Sequence, residues 1–159
     1  MFESKNKKVK MALVEAIKVV ARDVKLQLQE TYRLQKQEIE NIDRSQAIWK
    51  RVQDIAHETG AGIETEWYIN KEGFMSTPML DKARREFDES QNAKLRKLEA
   101  AYGEALHAID QRVEAIMPDL DELGHSSWAD APYRMALLVP DLKAVVEEYL
   151  VRMGVREGR

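Results

Sequence analysis

The sequence predicts a mainly α-helical fold: a long antiparallel helical hairpin resembling a coiled-coil arm, a small β-hairpin at its tip, and a helical-bundle base formed with short C-terminal helices. Three observations lead to this prediction. One third of the 159 residues are charged, only 7 are glycine and 4 proline, and neither type occurs from Lys5 to Thr59. Apolar residues recur along both halves at steps of three and four, as on one face of a helix.

The first element is a long helix over residues 9–58. Its apolar positions begin with Leu13 and Ile17 and extend to Val52 and Ala56. One place could interrupt it, because Asp43 followed three residues later by Gln46 can form a capping box that starts a second helix. The sequence therefore favours a continuous helix and leaves open a break at Asn41 to Ser45.

A β-hairpin-like connection is expected over residues 60–77. Apolar and polar residues alternate from Ile63 to Asn70, and the segment Asn70 to Gly73 has the composition of a turn closed by a left-handed glycine. Residues 74–76 form the predicted return strand. The large side chains of the connection are the candidate interaction residues: Trp67, Tyr68, Phe74 and Met75. The alternative is that they form a lid over Leu80 and Ala56.

A second long helix is predicted over residues 78–117. Thr77 is a suitable N-cap, Pro78 suits the first helical position, and Asp81 can pair with Arg84 or Arg85 one turn later. Pro118 is expected to end the helix. In antiparallel pairing about the hairpin, Trp49 should face Phe87.

Short C-terminal helices are expected over residues 132–153, in two pieces separated at Pro140 and closed by Gly154. Their apolar residues should cover the apolar first part of the chain and complete the base. Residues 1–159 are thus predicted to form a single domain.

The chain contains no cysteine, which excludes disulfides, thiolate metal sites and cysteine nucleophiles, and makes a reducing cytoplasm the expected location. No apolar stretch approaches the roughly 20 residues of a membrane span. The N-terminal lysines and apolar run do not predict a signal peptide, because Glu15 and Lys18 interrupt the run.

The predicted function is a non-enzymatic protein–protein interaction or scaffold module, homo-oligomeric or bound to a protein partner, with no catalytic residue, cofactor or metal. A thin two-helix arm buries little apolar surface, so a second chain would complete it. One alternative is nucleic-acid binding through a basic N-terminus (Lys5, Lys7, Lys8, Lys10) and the segment 94–97, although the net charge is −3.

A metal-binding enzyme is the other alternative. Asp54 with His57, and Glu104 with His107, each place a carboxylate and an imidazole three residues apart on a helix, the spacing used by di-iron bundles. Antiparallel pairing of the long helices keeps these two pairs far apart. The loop residues His125, Ser126, Ser127 and Asp130 include the residue types of a hydrolase triad, but they lie within six positions of one loop and lack a nucleophile elbow.

Overall fold

The computed structural model describes residues 2–60, 62, 67–121 and 131–155, with side chains over 11–60, 62, 67–116 and 136–155. The elements in this part of the chain are four helices and two strands: α1 Phe2–Glu40, α2 Arg44–Thr59, β1 Tyr68–Ile69, β2 Met75–Ser76, α3 Pro78–Asp121 and α4 Ala131–Arg152. The helices pack as a bundle, and the strands form a small antiparallel sheet, which confirms the predicted fold class.

The predicted continuous helix over 9–58 is wrong, because α1 ends at Glu40 and α2 begins at Arg44. The break lies where the capping alternative located it. Asp43 has an extended conformation, with φ −65° and ψ 101°, and its side chain accepts a hydrogen bond from the Gln46 amide at 3.1 Å. That bond satisfies an N–H group which would otherwise have no partner in the first turn of α2.

The start of α3 agrees with the prediction. The Thr77 hydroxyl accepts a hydrogen bond from the Leu80 amide at 3.1 Å, and Pro78 is the first helical residue. The predicted end at Met117 is wrong, because α3 continues through Pro118 to Asp121. Proline removes its own N–H donor and its ring crowds the carbonyl four residues earlier, but the residues after it keep their own donors and complete a last turn.

The C-terminal region is one helix, α4, and the predicted division at Pro140 is wrong. Leu138 and Leu142 lie on either side of Pro140, and both are fully buried, so the apolar stripe continues past the proline. Their burial compensates for the single backbone hydrogen bond that proline omits. Gly154 closes the helix as predicted: with φ 73° it donates to the Val151 carbonyl at 3.1 Å, while the Val155 amide donates to Leu150 at 2.9 Å.

The residues group into two compact units, Met1–Leu34 with Leu98–Arg159, and Gln35–Lys97. The first unit packs apolar stripes of α1, α3 and α4, whose members recur at steps of three and four. The buried residues are Ile17, Ala21, Val24 and Leu28 on α1, Leu98, Ala101, Ala105 and Ile109 on α3, and Leu138, Leu142, Val145, Tyr149 and Leu150 on α4. The predicted cover by the C-terminal residues is therefore confirmed.

Contacts between α1 and α3 in this unit show that the two helices run antiparallel. The Lys25 ammonium group lies 2.5 Å from the Asp110 carboxylate. Seven residues later on α1, Tyr32 stacks on Tyr102, which precedes Asp110 on α3, with ring centroids 4.3 Å apart. Tyr149 of α4 is buried, and burial, together with the charges of Tyr32 and Tyr102 when they ionise, raises its pKa to about 12. Each helix of the unit thus contributes one tyrosine to a shared cluster.

The second unit has its own core between α2 and the start of α3. Its buried members are Ile48, Val52, Ile55 and Ala56 on α2 and Met79, Leu80 and Ala83 on α3, with Phe87 packed against them. The predicted pairing of Trp49 with Phe87 is wrong, because Ile48 lies on the buried face and Trp49 is exposed. Val52 and Ala56 of the predicted stripe are buried as expected, and the residue one turn before Val52 on the buried face is Ile48 instead of Trp49.

Candidate functional site

The hairpin at the centre of the chain is built on a tight turn. Ile69 pairs with Met75 and Tyr68 with Ser76, and the Asn70 amide donates to the Phe74 carbonyl at 2.8 Å. Gly73 has φ 86°, a conformation that favours glycine, and its amide donates to the Asn70 carbonyl at 3.0 Å. The predicted turn and return strand are confirmed, whereas Ile63 and Thr65 of the predicted first strand lie outside the described residues.

Strand alternation divides the hairpin side chains between two faces. The inner face is defined by Tyr68, Asn70 and Ser76, all of which contact the first turn of α3. The outer face is defined by Trp67, Ile69 and Met75, of which Ile69 and Met75 are a cross-strand pair. The contacts of the inner face with α3 are therefore polar, whereas the three outer-face side chains are apolar.

Asp81 of α3 holds the inner face in place. Its carboxylate accepts hydrogen bonds from the Tyr68 hydroxyl, from Asn70 Nδ2 at 3.1 Å and from the Ser76 hydroxyl at 2.7 Å. The predicted pairing with Arg84 is also present, at 3.8 Å. The hydrogen bonds from Tyr68, Ser76 and Asn70, in that order, and the charge of Arg84 lower the pKa of Asp81 below its ordinary value of 3.8.

The four predicted interaction residues are all exposed, and a fifth lies beside them. The exposed fractions are 50% for Trp67, 42% for Tyr68, 68% for Ile69, 63% for Phe74 and 59% for Met75. Phe74 and Tyr68 belong to the same side of the turn, where they line a groove of about 820 Å³ beside α3. The structure thus brings Trp67 and Met75 to one face of the hairpin and Tyr68 and Phe74 to the other.

The groove on the inner side has no preference for one sign of charge. Its basic and acidic lining residues are equal in number: Arg44, Lys71, Arg84 and Arg85 against Glu72, Asp81, Asp88 and Glu89. Arg44 is further neutralised by Asp88, at 3.0 Å. The apolar outer face is consequently the more distinctive feature of the hairpin.

Sequence reasoning did not include Ile69 among the interaction residues and did not assign Asp81 to the hairpin. Ile69 could have been found, because it lies two residues after Trp67 in the predicted strand and therefore on the same face. The sequence predicts for Asp81 only a pairing with Arg84 or Arg85. Nothing in the sequence indicates that three hairpin side chains share its carboxylate.

The acid and histidine pairs of the metal hypothesis belong to different units, and all four side chains are exposed. His57 lies in the last turn of α2, and Glu104 is engaged in an ion pair with Arg152 of α4. Among the residues that the structure describes, no three His, Asp or Glu side chains are grouped so that they could hold a metal ion. His125, Ser126, Ser127 and Asp130 lie outside the described residues.

None of the helices, over the described residues, combines the length and the apolar character needed to cross a membrane. Comparison with known proteins yields no match to a protein-family model, to a curated protein or to a solved structure.

Proposed function

We propose that this chain is a non-enzymatic protein–protein interaction module that self-associates through the outer face of its hairpin. The observation that carries the proposal is the contrast between the two faces. Asp81 fixes the inner face to α3, while Trp67, Ile69 and Met75 are left at least half exposed on the outer face. A rigidly held cluster of apolar side chains is typical of the centre of a protein interface.

The competing hypothesis, a lid over the core of the second unit, has less support. A lid would bury its large side chains against Leu80 and Ala56. Among the residues of this segment that the structure describes, Ser76 and Thr77 are buried, whereas Trp67, Tyr68 and Phe74 are exposed. The apolar surface of the hairpin is therefore available for a second chain.

The size of this surface sets the expected strength of association. A large side chain buries roughly 150 to 250 Å², so the three outer-face side chains, about half exposed, offer on the order of 300 Å². A symmetric dimer buries the same patch on both copies, or on the order of 600 Å² in total, which is in the range of weak, transient interfaces. We therefore expect reversible association, with a dissociation constant in the micromolar range or weaker.

The absence of cysteine suits the reducing cytoplasm, where we propose that the module acts.

Sedimentation velocity over a concentration series tests the proposal. The parent chain should associate reversibly, and the triple variant Trp67→Thr, Ile69→Thr, Met75→Thr should remain monomeric while keeping its helical circular dichroism. Threonine preserves strand propensity and removes the apolar surface. Replacement of residues 61 to 76 by a short Gly/Ser loop should have the same effect on association.

Trp49→Gln is the matched control, because Trp49 is another exposed tryptophan of the second unit, 44% exposed, and lies on α2 instead of the hairpin. This variant should associate like the parent. The proposal is wrong if the triple variant associates as strongly as the parent, or if the loop replacement costs several kcal/mol of stability while association is unchanged. The second result would identify the hairpin as a lid.

A further inference from the structure

A second surface, separate from the hairpin, lies in the first unit. A groove of about 510 Å³ runs between α1 and α3, and no described α4 residue lines it. Its apolar lining consists of Ala21, Leu26, Tyr102, Leu106 and Val113. Ala21 is buried, Tyr102, Leu106 and Val113 are half-buried, and Leu26 is 54% exposed. The groove thus has an apolar floor open to solvent.

The dimensions of the groove fit a helix. Its lining residues extend from Lys18 to Gln29 on α1 and from Tyr102 to Val113 on α3. Each range is about 16 Å long at a rise of 1.5 Å per residue, or three helical turns. A groove between two antiparallel helices is also the position at which a further helix adds to a bundle.

The charge around the groove is predominantly positive. Lys18, Arg22 and Lys25 follow one another at steps of four and three along the α1 side, and Asp110 is the single acidic lining residue. Lys25 pairs with Asp110 at 2.5 Å, and Lys18 approaches Glu15 at 3.9 Å. Arg22 is exposed at the middle of this row. An apolar helix with acidic residues along its flank would match both the floor and the row of basic residues.

We propose that this groove binds an amphipathic helix of about three turns whose flanks carry Asp or Glu, supplied by a protein partner. The apolar face of that helix would lie on Tyr102, Leu106 and Val113, with Leu26 as one wall, and its carboxylates would lie beside Arg22. This is the helix-in-groove mode of recognition. This groove and the hairpin belong to different units, and the chain would bind its partner here and associate with its own copies at residues 67–76.

The probe is a fluorescent designed peptide of about 18 residues, with leucines at helical spacing and glutamates on both flanks, and the assay is fluorescence anisotropy with the full chain. A second peptide carries lysine in place of every glutamate. The glutamate peptide should bind at least about tenfold more tightly, and this difference should shrink at high salt because the charges are exposed. Equal binding of both peptides, or no binding of either, would contradict the proposal.

Two pairs of variants locate the site. Leu26→Gln should weaken binding of the glutamate peptide about fivefold or more through lost apolar contact, whereas Leu34→Gln should leave it unchanged. Leu34 is the matched control, because it is 50% exposed on the same helix and does not line the groove. Arg22→Glu should weaken binding of the same peptide, and Lys94→Glu, an exposed charge reversal elsewhere on α3, should not.

Methyl NMR spectra of the full chain give a direct map. On addition of the glutamate peptide, the signals of Ala21, Leu26, Leu106 and Val113 should shift, and those of Ile48 and Val52 in the other core should not. The hairpin triple variant should bind the peptide as the parent does, which separates this proposal from that of self-association. If Leu26→Gln instead abolished self-association of the parent chain, a second copy would be the occupant and the assignment to an acidic helix would be wrong.

Discussion

Asp81→Ala should detach the hairpin from α3 without unfolding the protein. The substitution removes the acceptor shared by Tyr68, Asn70 and Ser76. Alanine is compatible with the first turn of a helix, and the Thr77 cap remains. The expected effect is therefore confined to the hairpin, where the inner face would lose its attachment.

The magnitude follows from three hydrogen bonds to one charged acceptor. Such bonds contribute about 1.5 to 3 kcal/mol each when buried, but the Asp81 side chain is 27% exposed, so values near or below the lower limit apply. Ser76, fully buried, keeps a bond to the Thr77 carbonyl at 3.3 Å, which offsets part of the loss. We expect a total of about 2 to 3 kcal/mol for opening of the hairpin.

Hydrogen exchange measured by NMR on the amides of Asn70 and Gly73 is the assay, since both are bonded within the turn. A loss of 2 to 3 kcal/mol should accelerate their exchange about 30- to 150-fold, because each 1.4 kcal/mol is a factor of ten. Asp88→Ala is the control: it removes an exposed carboxylate of α3 that pairs with Arg44, and should cost no more than about 1 kcal/mol.

The pH dependence provides a second readout. The folded-state pKa of Asp81 is lowered, so its contribution is present above the ordinary value of 3.8 and is lost as the pH falls through the lowered pKa. The parent hairpin should therefore lose protection below about pH 4, and the Asp81→Ala hairpin should not show that additional loss. Exchange in Asp81→Ala no faster than in Asp88→Ala would refute the role given to this carboxylate.

Three further predictions concern the cores and the turn. Leu142→Ala should lower the free energy of unfolding in urea by about 2 to 5 kcal/mol, since Leu142 is fully buried, while Leu137→Ala, at an exposed position of the same helix, should change it by less than about 1 kcal/mol. Gly73→Ala should destabilise the hairpin by about 1 kcal/mol, because alanine is strained at a φ of 86° even though its Cβ would meet no other atom, and amide exchange measures this effect. Gly103→Ala, within α3, should instead stabilise the protein in a urea titration, because alanine favours the helix. Tyr149, with a pKa raised to about 12, should ionise well above its ordinary value of 10, and a Tyr149→Phe difference spectrum by ultraviolet absorbance measures this. Its contribution to stability should be present below pH 10 and decline between pH 10 and about 12.

Local signals in the sequence predict the elements of this fold well. The Thr77 cap, the left-handed Gly73 and the Gly154 terminator all appear as expected, because each depends on the chemistry of a few neighbouring residues. The two prolines are less informative. Pro118 and Pro140 both lie within helices. The sequence around a proline does not show whether packing of the rest of the helix outweighs the local cost of the proline, so both predicted helix ends were wrong.

The candidate site was predictable in part. Trp67 and Met75 could be recognised as interaction candidates because large apolar side chains are unexpected in a connection between helices. The division into an inner and an outer face required the register of Ile69 with Met75 and the long-range bonds to Asp81. The pairing of Trp49 failed because Ile48 and Trp49 are neighbouring apolar residues that both fit a helical stripe continuing through Val52, and the sequence does not show which of them faces α3.

Isotope-filtered nuclear Overhauser spectroscopy on a mixture of labelled and unlabelled chains tests the proposed self-association most directly. The account predicts intermolecular cross-peaks that join the methyl groups of Ile69 and Met75 to the ring of Trp67, at concentrations where sedimentation detects association. Cross-peaks that arise from other residues alone, such as Leu26 or Trp49, would contradict it. A parent chain that stays monomeric at about 1 mM would do the same, because a dimer with a Kd of about 1 mM or below should be substantially populated at that concentration.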